Sequence, residues 1–220
     1  MMRIHVFCEG QTEESFVRQC LAPHFEELSC WLNPIVVRTG PHGKGGSSSY
    51  EKIRRQILQK CKEDPTAFVT TMLDVYGLPK DFPGRQTPPP PPLNRARFLM
   101  QCFQEDIFQP NFLANLTVHE FEALLFSKPE IFSNWFDAPI AGELCAIRSR
   151  YPTPEDINQS PDTAPSKRIL ALCPTYQKKA YGTLIALDIG LATIRKNCPH
   201  FDSWLRQLEQ IALGEHHESA

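Results

Sequence analysis

Apolar residues recur in two distinct periods along this chain, and the change of period divides it. Residues 3–8 (Arg-Ile-His-Val-Phe-Cys), 34–38 and 66–74 are short, apolar and rich in β-branched residues. Runs of this kind predict strands buried on both faces, as in a parallel sheet covered by helices. Between them the apolar positions fall at helical spacing. Phe16, Val17, Cys20 and Leu21 mark a helix over about 13–28, and Ile53, Ile57, Leu58 and Cys61 one over about 49–63. A helix at about 94–106, a fourth strand at about 112–118 and a helix at 119–127 with Phe121, Leu124 and Leu125 inward complete this half. From about 129 onward strand signals fade. Helical segments at 129–136, 139–149, 165–173, 175–195 and 200–213 follow, punctuated by proline. The expected fold is α/β, with about four mostly parallel strands flanked by helices in residues 1–128. A helical region, 129–220, packs on that core as part of one globular unit.

Two stretches belong to neither period. Residues 39–49 are a Gly- and Ser-rich loop, and residues 88–92 are five consecutive prolines, read as an extended polyproline segment. The glycine loop contains Lys44 but lacks the G-x-x-x-x-G-K-[ST] spacing of an ATP-binding loop.

Composition narrows the class. With 220 residues, 41% hydrophobic and 22% charged, the chain can build a core without disulfide staples. Its eight cysteines are scattered singly, with no C-x-x-C, and the N-terminus has no signal-peptide pattern. Reduced thiols in a cytoplasmic protein are the expectation. No apolar run approaches the roughly 20 residues of a membrane span. The formal charge of −2 excludes a protein that coats DNA through bulk positive charge. Basic residues are instead local: Arg38, Lys44, Lys52, Arg54, Arg55, Lys60 and Lys62 against Glu51, and the pairs Lys167-Arg168 and Lys178-Lys179. Such patches suit a phosphate backbone and equally suit solvated helix faces.

The chemistry sits at the strand ends. Open parallel sheets bind ligands at the carboxyl ends of their strands. Here those ends carry Glu9-Gly10, then Asp74-Val75-Tyr76-Gly77, then His119-Glu120-Phe121-Glu122. Glu13 and Glu14 follow in the first helical turn, where acids also complement the helix dipole. Glu120 can form a capping box with Thr117, and His119 and Glu122 share one helix face. The H-E-x-x-H pattern of zinc peptidases fails at Ala123. Glu9, Glu13, Asp74, Glu120 and Glu122 are therefore candidate oxygen ligands for Mg²⁺ or Mn²⁺. His119 is a further candidate site residue, and Lys167 and Arg168 are candidate cations for a transition-state phosphate.

Glu9 to Glu14, residues 68–79, residues 119–127, residues 164–168 and residues 198–204 together resemble the bacterial DUF4276 family over about 3–210. That resemblance implies a Toprim-like domain, similar to those of topoisomerases, primases and OLD-type nucleases. Those use a glutamate after strand one and Asp-x-Asp after strand three to hold divalent metal. Glu9 matches the glutamate and Asp74 the first aspartate, while Tyr76 replaces the second. It also implies an AAA- or ABC-type ATPase partner in anti-phage defence. The leading expectation is a metal-dependent nuclease, or related phosphoryl-transfer enzyme, acting on DNA or RNA. The alternatives are a non-catalytic module that binds nucleic acid or a partner protein, and a small-molecule phosphohydrolase.

Overall fold

The computed structural model describes residues 2–38, 49–87, 92–157 and 161–214. The Gly/Ser loop, with Lys44, and prolines 88–91 lie outside these residues. Strands β1 (Met2–Cys8), β2 (Cys30–Val36), β3 (Phe68–Asp74), β4 (Phe112–Leu113) and β5 (Leu116–Thr117) form one sheet. Its order is β2-β1-β3-β4, and β5 also pairs with β3. Every pairing is parallel. Helices cover both faces, as the apolar strands predict. Alternate strand residues feed opposite cores. Ile4, Val6, Cys8 and Met72 join one cluster, while Phe7, Val69 and Leu73 join the other.

The first cluster lies under α1 (Gln11–Phe16), α2 (Ala22–Glu27) and the C-terminal helices. The second lies under α3 (Tyr50–Glu63) and α4 (Pro92–Ile107). Helices α1 and α2 are joined by a π-helical turn, Val17–Leu21, in which the Ala22 N–H bonds the Val17 carbonyl. Pro23 has no N–H to give Gln19, and a π-bulge absorbs such a gap.

Several elements depart from expectation. Strand β2 begins four residues early, where Cys30 pairs with Met2. Pro92, the last of the five prolines, opens α4, since proline is accommodated in a helix's first turn. The fourth strand is two short pieces. At the break between them, the Ala114 N–H donates to Gln104 Oε1 at 2.8 Å, and the Asn115 amide donates to the Thr71 carbonyl at 3.0 Å. Residues 121–127 form a 3₁₀ turn (Phe121–Ser127) rather than an α-helix with a polar face, and Phe121 to Phe126 are all buried. The turn is packed on by α6 (Pro165–Leu172), α7 (Lys178–Ile189) and α8 (Leu191–Asn197). The expected helix over 175–195 starts at Lys178 and breaks at Gly190, whose φ of 82° suits glycine. Residues 129–134 are also 3₁₀, and α5 (Ala138–Arg148) and α9 (Pro199–Ala212) follow the expected helices closely.

Helix α9 crosses the sheet face. Trp204 Nε1 donates to Thr70 Oγ1 at 3.0 Å, and His200 Nε2 donates to the Leu116 carbonyl at 2.9 Å. Its N-terminus is capped from a distance. Cys198 provides no side-chain cap and Pro199 no N–H, so Glu155 accepts the N–H groups of His200 and Phe201, both at 2.9 Å. Burial pushes Glu155 up to about 7, against the pull of those two donors. A carboxyl whose folded value exceeds its unfolded value adds stability that is full at low pH. That stability is lost as pH rises through the folded value. From pH 4.5 to above 7 the loss amounts to about 3 kcal/mol. Glu155→Gln should flatten this slope: the urea-unfolding free energy of wild type should fall more steeply between pH 5 and 8 than that of the variant. Parallel curves would contradict the assignment.

Candidate functional site

The carboxyl ends of β1 and β3 and the turn after β5 bring carboxylates together from three segments. Asp74 ends β3 and is buried. Glu122 lies in the 3₁₀ turn with 0% exposure, and Glu13, the third residue of α1, with 2%. Lys178, the first residue of α7, sits among them. Its Nζ is 3.1 Å from Glu13 Oε1, 3.3 Å from Glu122 Oε2 and 3.5 Å from Asp74 Oδ2. It also lies 5.8 Å from the centre of the Phe121 ring, within cation–π range.

Each carboxylate is set by its local backbone. Glu13 Oε2 accepts the Gly10 N–H at 3.0 Å, tying down the entry to α1 and aiming Oε1 at Lys178. Glu9, exposed at the rim, accepts the Asp74 N–H at 3.0 Å through Oε2. It can do so only because residue 77 is glycine: a Cβ there would stand 2.4 Å from Glu9 Oε1. Helix α7 comes close for a similar reason. A Cβ on Gly182 would meet Thr12 Cγ2 at 3.1 Å and Phe121 at 3.3 Å. The Thr183 hydroxyl donates to the Thr12 carbonyl at 3.3 Å.

Three buried carboxylates thus face one ammonium. Burial lifts Asp74 well above the usual carboxylate range and lifts Glu122, with Lys178 opposing in both. Burial alone would depress Lys178, but Asp74, Glu122 and Glu13 outweigh it and raise the amine. Among the described residues Asp74 Oδ1 and Glu122 Oε1 have no hydrogen-bond partner, and the buried Tyr176 hydroxyl faces Glu122. Burial, then Glu122, raises the Tyr176 phenol.

The remaining predicted residues lie around this centre. Glu120 turns away from its own 3₁₀ turn and accepts the Ser166 N–H at 3.0 Å, so it caps α6 rather than forming a box with Thr117. His119 is buried with a φ of 65°, its ring 5.5 Å from that of the half-buried Tyr76. Burial pushes His119 down to about 4, leaving it neutral at ordinary pH. Arg168 is committed elsewhere: it donates to the Thr163 carbonyl and the Tyr151 hydroxyl and lies over the Tyr151 ring. Lys167 is exposed on α6. The structure therefore joins Glu9, Glu13, Asp74 and Glu122, places Glu120 and His119 beside them, and commits Arg168 to the Thr163 carbonyl and Tyr151. Lys178 and Tyr176 went unassigned. Lys178 was visible only as half of a basic pair, and nothing in its local sequence marks it as inward-facing.

These features define a parallel α/β protein with a buried acid–lysine centre at the strand ends. The chain belongs to the DUF4276 family: that family model, a domain of unknown function, matches residues 8–209. No curated protein and no solved structure matches it significantly. No helix among the described residues is long and apolar enough to cross a membrane.

Gly77→Ala should cost about 1 kcal/mol in urea unfolding, since the new methyl displaces the Glu9 carboxylate and breaks its bond to the Asp74 N–H. In a Glu9→Ala background the same change should cost much less. Equal costs in both backgrounds would show that Gly77 does not exist to seat Glu9.

Proposed function

We propose that this protein is a divalent-metal-dependent nuclease, or related phosphoryl-transfer enzyme, acting on nucleic acid. The observation that carries this reading is the excess of carboxylate at the strand ends. Glu13, Asp74 and Glu122 are buried against a single ammonium. Their unsatisfied oxygens, Asp74 Oδ1 and Glu122 Oε1, are hard donors suited to Mg²⁺ or Mn²⁺. The donor set thus fits such an ion in charge and chemistry. Among the described residues no three such side chains already stand in ligating array; Lys178 lies between them. Asp74, Glu122 and Glu13 would hold the ion, with Glu9 at the rim. Bound there, a divalent ion supplies Lewis acidity and lowers the pKa of water. Glu13 and Glu9 keep their orientation through the Gly10 and Asp74 N–H groups, so their oxygens need no reorganisation. His119, neutral and buried, supports Tyr76 at the edge rather than moving protons. The resemblance to Toprim domains of OLD-type nucleases supports the choice of DNA or RNA as substrate and of an AAA- or ABC-type ATPase as partner.

One observation favours a second reading, a non-catalytic module that binds nucleic acid or a protein. Lys178 already fills the centre, and Tyr76 stands where the Toprim pattern has its second aspartate.

Mn²⁺ titration calorimetry, with incubation on supercoiled plasmid and single-stranded RNA, separates the two. Asp74→Asn and Glu122→Gln should each weaken Mn²⁺ binding and lower cleavage at least about a hundredfold, the scale of losing one charged catalytic group. Both should stay folded, because each change relieves a buried charge. Mn²⁺ binding without cleavage of either polymer selects the module. No Mn²⁺ binding by wild type rejects the metal reading.

A further inference from the structure

We propose that the Lys178 ammonium is an internal placeholder for the divalent cation, which must expel it to enter. This deepens the reading above and rests on it.

The geometry points there in three ways. First, Nζ contacts carboxylates from three separate segments, α1, β3 and the 3₁₀ turn, at 3.1–3.5 Å. That is where the buried carboxyl groups of these three segments meet. An ion held by Glu13, Asp74 and Glu122 would therefore need the space that the Lys178 ammonium takes. Second, one ammonium serves three buried carboxyl groups, and two of their buried oxygens, Asp74 Oδ1 and Glu122 Oε1, make no hydrogen bond among the described residues. A structural ion cluster that is complete would leave no such oxygens. A doubly charged ion in place of the ammonium would favour the ionised form of all three groups and use those oxygens. Third, Lys178 is able to leave. It is the first residue of α7, its side chain is 36% exposed, and its flexible stem can swing to solvent. The helix would stay in place, because α7 is anchored by Gly182 against Thr12 and Phe121 and by the Thr183 hydroxyl on the Thr12 carbonyl.

An internal competitor weakens the apparent affinity of its rival by the fraction of time the site is closed. Lys178→Met keeps the stem and removes the charge. The variant should bind Mn²⁺ at least about tenfold more tightly than wild type in calorimetry. A second measurement needs no variant. Wild type is acylated with a limiting N-hydroxysuccinimide ester, with and without Mn²⁺, and labelling is read by peptide mass spectrometry. Lys179, exposed and adjacent, is the internal reference. Lys178 should be shielded relative to Lys179 in metal-free protein and should gain several-fold in labelling when Mn²⁺ is present. Equal or weaker Mn²⁺ binding by the variant, with Lys178 labelling unchanged by Mn²⁺, would overturn the proposal and leave the metal reading standing. Absence of Mn²⁺ binding in both proteins would overturn both. Should Lys178→Met fail to fold, the labelling of wild type decides alone.

Discussion

The contact on which the rest depends is that between Lys178 and the carboxylates of Glu13, Asp74 and Glu122. Taking ions out of water costs several kcal/mol each, and their mutual attraction returns that only with good geometry. Here one ammonium serves three buried carboxyl groups, and burial lifts Asp74 and Glu122 toward their neutral forms. The fold therefore carries a deficit at the end of its sheet, offset by the two apolar cores that sandwich the strands. Each buried Leu, Ile or Phe in those cores contributes about 1.5–3 kcal/mol. A purely structural ion network gains nothing from being built this way, since apolar residues of similar volume would serve as well or better. The imbalance is the physical reason to look for a ligand there.

The same contact explains why the helical half is not an appendage. Lys178 belongs to α7, while its partners belong to α1, β3 and the turn after β5. The first core runs without interruption from Ile4 and Val6 through Phe121 to Trp204 and Leu208. Two helices of this half begin with a proline and lack a side-chain cap of their own, and both borrow a carboxylate. Glu120 caps α6 and Glu155 caps α9. Each borrowed cap fixes a helix to a turn that lies next to the sheet. The glycine positions act similarly: Gly77 lets Glu9 lie down on the strand end, and Gly182 lets α7 approach closely enough for Lys178 to reach in.

Much of this was legible because period and strand order are local signals. The apolar runs of β1 and β3 set a parallel sheet, and the rule for strand ends then selected Glu9, Asp74 and Glu122 without any knowledge of the helices. Glu13 was harder, since an acid in the first helical turn has a sufficient structural reason; it turns out to serve both ends, Oε2 on Gly10 and Oε1 on Lys178. What sequence could not supply was the pairing of distant segments. Glu120 looked like the cap of its own helix because Thr117 stands three residues before it. Its actual partner, Ser166, is 46 residues away. Arg168 looked available for phosphate, but Tyr151 and the Thr163 carbonyl hold it. The turn at 121–127 carries helical spacing in its apolar residues, yet helices pack around it, and a segment buried on every side has no polar face to display.

Tyr76 leaves the balance of charge at this end of the sheet unchanged. An aspartate there would add another negative charge beside a cluster that already has too many. The aromatic ring instead rests against His119, whose burial keeps it uncharged, so neither adds to the burden. The acidic groups beside Asp74 come instead from outside β3, Glu13 on α1 and Glu122 on the 3₁₀ turn. Were the proposed ion to enter, the Lys178 ammonium is the counter-charge it would replace, and the flexible stem on the first residue of α7 would let that charge leave without moving the helix.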